Sequence, residues 1–353
     1  MLHLPHRHRA ATLARARGSR TRARLAPLVL VSLLATALLA GCGAIGDPLA
    51  AVSVNGHTVS LAAYQRILSI YEISSAQQGQ SVSWQTPDDR SALSRVQKAA
   101  VDFLVSAQLI HQQVQSQHLT VDAKDVQETL KAFAGAVESA GQQNPSNSDY
   151  HTLVVGAQQA AKQDATKVDI LGLMAGRPSV ADAFMLFGYD EAEQKTLMDH
   201  VKVPQAHLRV IQTATEHDAK DILKQLTEQH ADFGELAKQK SLDQQTAPSG
   251  GELGNARVGQ LAPIDSNFDR LIFGPSADYA AKTSYAIVPY QGKFILCEIT
   301  QRSTVAISSL SDPQTQADAF NAWLGVVVRP AADIQQFVAV DPTPTTAPPA
   351  LGG

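Results

Sequence analysis

Four glycines fall within the fifteen residues Ser249–Pro263, SGGELGNARVGQLAP, together with one acid, Glu252, and one base, Arg257. A run of this kind has three uses: to cradle a phosphate with backbone N–H groups, to turn a strand, or to clear space beside a pocket. A phosphate cradle sets its glycines between a strand and a helix N-terminus, and its P-loop form ends in Gly-Lys-Ser/Thr. Here a short helical pattern precedes the glycines and no Gly-Lys-Ser/Thr follows, so a nucleotide site is not expected. Other reactive side chains are few. The two cysteines are Cys42 and Cys297. Cys297 lies in FILCEI, where alternation puts it on one strand face with Ile295 and Ile299, as a packed rather than a reactive thiol. His3, His6 and His8 have metal-like spacing but belong to a leader segment. The rest of the chain has no His-Glu-x-x-His, no Gly-x-Ser-x-Gly and no Cys/His cluster, so neither a metal nor a cofactor is expected.

The leader is legible by itself. Residues 1–24 carry seven arginines and no acid, and an apolar run follows from Leu25 to Ala40. That run is shorter than the ~20 residues of a membrane-spanning helix. A basic start, a short apolar run and small residues at its end predict a secretory signal over 1–41; an uncleaved anchor and an Arg-rich transit peptide are the alternatives. The junction LAGC, Leu39–Cys42, resembles the lipobox of bacterial lipoproteins. The resemblance implies cleavage before Cys42, lipidation of its thiol, a short linker to residue 50, and attachment to the bacterial cell membrane on its extracytoplasmic side. Two acyl chains hold stably where one myristoyl chain does not. The whole chain has 29 Lys+Arg and 33 Asp+Glu, net −4; loss of seven bases and no acid with the leader leaves 22 against 33, net −11. So acidic a body argues against a nucleic-acid partner. It also leaves tethering to lipid rather than to charge.

Stepping along the chain, VSVNGHTV at Val52–Val59 alternates about Asn-Gly and predicts a small hairpin. Leu93, Val96, Ala100, Phe103, Ala107, Ile110 and Val114 recur at spacings of three and four and predict one long helix. Helical patterns continue from about Val121 to His200, interrupted by a polar loop over Ser139–Asp149, so that residues 51–202 are mostly α. At Val203-Pro204 the period changes. AHLRVIQT alternates as a strand, with His207, Arg209 and Ile211 on one face. Thr215 and Asp232 are positioned to cap two helices. Phe268, Leu271 and Ile272 mark a third, stopped by Gly274, and YAIVPYQGKFILCEIT predicts two strands joined at Gln291-Gly292. The fold class is α+β, with a β-α-α-α-β-β unit over 203–302. A Pro/Thr-rich tail follows from 341.

AHLRVIQ, DFGELAKQKS, GGELG, GQL, FDRLIFG and the closing hairpin, in that order, resemble the parvulin family of peptidyl-prolyl isomerases over Ala206 to Arg302. VSVNGHTVSLAAYQRIL after a lipobox resembles the secreted foldases of the PrsA and SurA types. In those a helical chaperone module carries the parvulin domain, and here residues 303–340, with FNAWLGVVV, would return to that module as a helix. The resemblance implies a glycine loop passing close to a proline pocket lined by Leu253, Leu261, Phe268 and Phe294, with His207 and Asp243 as polar groups at its lip. A satisfied structural histidine and an ordinary loop acid are the alternatives for those two. The family's second histidine, in Gly-x-His, corresponds here to Phe294 of Gly292-Lys293-Phe294. A phenylalanine lines a pocket but cannot hydrogen-bond His207 or fix its tautomer, so weakened turnover is expected. APIDSNF is also longer than the family's spacing. An isomerase makes no covalent bond; it lowers a rotation barrier of ~18–20 kcal/mol by binding the twisted amide better than the planar ones. The partners implied are unfolded or nascent secreted polypeptides with Xaa-Pro bonds. The alternative is a non-catalytic holdase with a degenerate parvulin domain.

Overall fold

A computed structural model describes residues 49–77, 87–142, 148–261, 266–277 and 283–339. The expected signal, Cys42 and the tail from 341 lie outside them. The described residues form one compact unit. No helix of the described residues is long and apolar enough to cross a membrane.

β1 (Ala50–Val54) and β2 (His57–Ser60) pair antiparallel. Asn55 and Gly56 between them have φ of 52° and 80°, the two left-handed residues a type I′ turn requires. β1 begins inside the segment 42–50 that was expected to be linker. Six helices follow: α1 (Leu61–Gln77), α2 (Pro87–Ser116), α3 (Ala123–Gln142), α4 (Ser148–Ala160), α5 (Ile170–Ala175) and α6 (Val180–His200). On α2 the expected seam is buried at Leu93, Ala100, Ala107, Ile110 and Val114, but so are Val101, Leu104, Val105 and Leu109. This helix is therefore covered on more than one side, which is why its apolar residues exceed a single stripe. Ser179 and Asp182 close a full capping box at the start of α6.

The second half comprises β3 (Lys202–Thr213), α7 (Glu216–Glu228), α8 (Phe233–Lys240), β4 (Glu252–Arg257), α9 (Ser266–Phe273), β5 (Ser284–Tyr290) and β6 (Lys293–Ala306). Thr215 and Asp232 cap α7 and α8, accepting from the N–H groups of Asp218 and Glu235 at 3.1 and 2.9 Å. The sheet order is β4-β3-β6-β5, with every neighbouring pair antiparallel. One expectation is corrected here. The glycine segment is not only a loop: it contains the edge strand β4, so the order is β-α-α-β-α-β-β. Gly251, at φ 80°, is laid against β3, where Val210 N–H donates to its carbonyl at 2.7 Å. A Cβ there would collide with the Val210 carbonyl oxygen. Positive φ and backbone contact together admit only glycine.

Both faces of this sheet are covered. Leu208, Val210, Val288, Ile295, Cys297 and Ile299 join one apolar cluster with α9, the six helices, and Phe320 and Trp323 further along the chain. Cys297 shares its buried face with Ile295 and Ile299, and burial pushes its thiol far above the ordinary range. On the other face Ile211 and Leu296 pack with Ala219, Ile222, Leu226, Phe233, Leu236 and Ala237 from α7 and α8.

After β6 the chain forms α10 (Pro313–Trp323), capped by Asp312, then a π-helical turn at Leu324–Val328 and a last strand, β7 (Ile334–Gln336). β7 pairs antiparallel with β1, in the order β2-β1-β7. The described part of residues 303–340 thus holds a strand as well as a helix. Arg329 bonds Asp102 of α2 at 2.7 Å, and Asn55 and Asp333 exchange two hydrogen bonds across the β1 turn.

Candidate functional site

A polar row crosses the α7/α8 face of the four-stranded sheet. Arg209 of β3, Glu298 of β6 and Tyr285 of β5 are direct cross-strand partners. Glu298 is 5% exposed. One of its oxygens accepts from Arg209 Nε and Nη2 at 2.6 and 2.5 Å, and the other from the Tyr285 hydroxyl at 3.3 Å. The guanidinium lies 4.9 Å from the centre of the Phe233 ring. Burial, then Glu298, raise the Tyr285 hydroxyl above its ordinary pKa. A buried carboxylate with a paired cation and a phenol is held rather than free, so this row braces the sheet.

His207 stands next to it on β3, about one third exposed. Its Nδ1 is 2.9 Å from Thr300 Oγ1 of β6, and its Nε2 is 2.8 Å from Glu252 Oε1 of β4. Two register shifts make this possible. Between His207 and Leu208 the β6 partner jumps from Gln301 to Ile299, so Thr300 is the extra residue. Between Leu208 and Arg209 the β4 partner jumps from Gly254 to Glu252, so Leu253 is the extra residue. Bulges of this type re-aim side chains and are frequent beside active sites. Neither is announced by local sequence. The partners of Glu298 had one sequence signal, a carboxylate inside the apolar strand FILCEI, which calls for a partner.

The other expected residues are distributed as follows. Leu253 is 40% exposed, beside Glu252. Leu261 and Phe268 are buried in the same apolar cluster, on the opposite face of the sheet from Phe233. Phe294 packs against the α7/α8 cluster and stands opposite Thr213 and Pro289. Asp243 lies beyond α8. Its carboxylate accepts from Gln245 N–H at 3.0 Å and from the Thr246 hydroxyl at 2.6 Å, and Leu242 N–H is bonded to the Gln212 carbonyl at 2.8 Å. Gln212 is five residues along β3 from His207, about 16 Å at the ~3.3 Å rise of a strand. The structure therefore brings His207 together with Glu252, Thr300 and Leu253, and Leu261 together with Phe268. It does not bring Asp243 or Phe294 to His207. A groove of about 400 Å³ opens beside Leu242, between the end of β3 and α7. Among the described residues no group of three or more His, Cys, Asp or Glu side chains could hold a metal ion.

Residues 201–278 match the family model of the PPIC-type PPIase domain, and residues 19–148 match that of the SurA-like N-terminal domain. Solved structures match as well. The foldase protein PrsA of Streptococcus pneumoniae shares 16% identity over 77% of this chain and 85% of its own, with a TM-score of 0.28. The peptidylprolyl isomerase PrsA of Bacillus anthracis shares 16% over 63% and 94%, with a TM-score of 0.26. A chain from the Campylobacter jejuni pair PEB4 and Cj1289, described as SurA-like chaperones, shares 20% over 76% and 88%, with a TM-score of 0.25. No curated protein matches.

Proposed function

From a chain that joins a SurA-like N-terminal domain to a PPIC-type peptidyl-prolyl isomerase domain, a parvulin-type foldase, we propose a lipid-anchored, extracytoplasmic enzyme that assists secreted polypeptides by isomerising their Xaa-Pro bonds. The observation that carries it is the domain match over 201–278, a segment that includes His207, Asp243, Leu253, Leu261 and Phe268. The anchor is proposed at Cys42, on the strength of the leader and the LAGC junction.

The chemistry asked of the domain is modest. It has to grip the prolyl ring, leave the preceding carbonyl free to rotate, and offer a donor to that carbonyl when conjugation is lost. His207 is partly exposed and held at both ring nitrogens, and it serves the last task by exchanging one of those two bonds for one to the client carbonyl. Leu253 offers apolar surface beside it, with Leu261 and Phe268 as the further apolar members. Asp243 is proposed as the second polar group. Phe294, in place of a histidine, favours a division of labour in which holding a chain outweighs turning it over.

NMR exchange spectroscopy on an Xaa-Pro peptide tests this with the full chain. The protein is expected to speed cis–trans exchange, and His207→Ala or Asp243→Ala to reduce the added rate by about tenfold, the effect of losing one polar contact worth ~1.4 kcal/mol. A rate unchanged by both substitutions overturns the site. Suppressed client aggregation with no acceleration of exchange overturns the catalytic proposal in favour of holding alone.

A further inference from the structure

We propose that Glu252 is a positioning residue for His207: its carboxylate sets which imidazole nitrogen carries the proton and so presents the ring ready-oriented to the rotating carbonyl. This rests on the isomerase reading of His207 given above. An ionised carboxylate only accepts hydrogen bonds. With Glu252 Oε1 at 2.8 Å, Nε2 must carry the hydrogen. In the neutral ring Nδ1 is then the acceptor, and the Thr300 hydroxyl at 2.9 Å donates to it. In the protonated ring Nδ1–H donates to the same hydroxyl, whose own hydrogen turns to the His207 carbonyl oxygen at 3.4 Å. Both of these forms leave every polar atom with a partner. The remaining form, neutral with the hydrogen on Nδ1, would aim the Nε2 lone pair at a carboxylate and is disfavoured. The bond made at one nitrogen thus fixes the state of the other.

The backbone supports this assignment. Glu252 opens β4 directly after Gly251, which is locked onto Val210. The bulge at Leu253 sets Glu252 in register with Arg209 while its side chain reaches His207. Arg209, the cation that could draw Glu252 away, is already held by Glu298. Phe294 has no polar atom to offer and stands opposite Thr213, six residues along β3 from His207, so orienting the imidazole falls to Glu252 and Thr300. In this chain the glycine segment delivers an acid to the histidine.

The test uses the full chain, with ¹⁵N-histidine NMR to read the tautomer and peptide exchange kinetics to separate kcat from KM. In the unsubstituted protein the His207 signals are expected to be those of the Nε2–H form. Glu252→Gln offers the ring both a carbonyl and an amide N–H, so the signals should move toward a tautomer mixture. With it kcat should fall roughly fivefold, in keeping with a partly exposed pair, and KM should change less than twofold. Glu252→Asp should restore part of both effects. Thr300→Val, which removes the Nδ1 partner, should shift the same signals. Unshifted signals and an unaltered kcat in Glu252→Gln, beside an impaired His207→Ala, overturn the positioning role and leave the isomerase site standing. A loss confined to KM also overturns it. Exchange unaffected by His207→Ala overturns the isomerase reading of that residue itself.

Discussion

Asp190 on α6 accepts from Gln194 Nε2 at 2.7 Å through one oxygen, while its other oxygen is buried with no partner among the described residues. Burial first, then the negative charges of Glu193 and Glu191, raise its carboxyl pKa to about 7. The sign of the effect on stability follows. An unfolded aspartate loses its proton near pH ~3.9, whereas the folded chain keeps this one to about 7. The stabilising contribution is therefore complete below the unfolded value and is lost as pH rises through the folded one. Asp190→Asn should flatten the dependence of melting temperature on pH between 5 and 8 and raise the melting temperature at pH 8. The gain there should be a few kcal/mol, since each pKa unit corresponds to ~1.4 kcal/mol. A variant with an unaltered pH profile would contradict it. The residue scale is also where sequence and structure part most clearly. His207, Asp243 and the apolar residues are legible as a set in the order of their motifs, but motif order does not say which sheet face a side chain takes. Phe294 went to the α7/α8 cluster, and Leu261 and Phe268 to the other. The Arg209–Glu298–Tyr285 row joins residues up to 89 apart in sequence, which no local spacing reveals.

At the scale of elements, caps and turns were legible because their chemistry is local. Thr215 and Asp232 each satisfy an N–H three residues on, and Asn55-Gly56 and Gln291-Gly292 both adopt left-handed φ. β4 was not legible. ELGNAR has no apolar alternation, since as an edge strand half of it is exposed, and its position is set instead by glycines that admit close backbone contact. Two of those glycines separate the causes. Gly251 has positive φ and no room for a Cβ, whereas Gly254, at φ 85°, has no atom within 4 Å of where a Cβ would sit. Gly254→Ala should cost about 1 kcal/mol, the conformational term alone. Gly251→Ala should cost at least about 3 kcal/mol, because β4 must also move off β3. Equal denaturation midpoints for the two variants would show that backbone contact at Gly251 contributes nothing.

For the whole molecule, the decisive element is the last one. α10 buries Phe320 and Trp323, and β7 covers the open edge of β1. Two buried aromatic side chains of this size contribute about 5 kcal/mol together, against a typical net stability of ~5–15 kcal/mol. Ending the chain at Ser311 should therefore abolish the single cooperative melt and expose dye-binding apolar surface. A truncated chain that melts as sharply as the full one would show that the two halves do not depend on this segment.

The pairing of β7 with β1 also sets an order of events for a chain made from its first residue onward. The four-stranded sheet is assembled entirely from residues 202–306, so every strand it needs is present before Ile334–Gln336 has been synthesised. The three-stranded sheet, begun at Ala50, stays open until those last residues arrive. During synthesis all four strands of that sheet are made before the three-stranded sheet can close, and β1 waits with one edge unpaired.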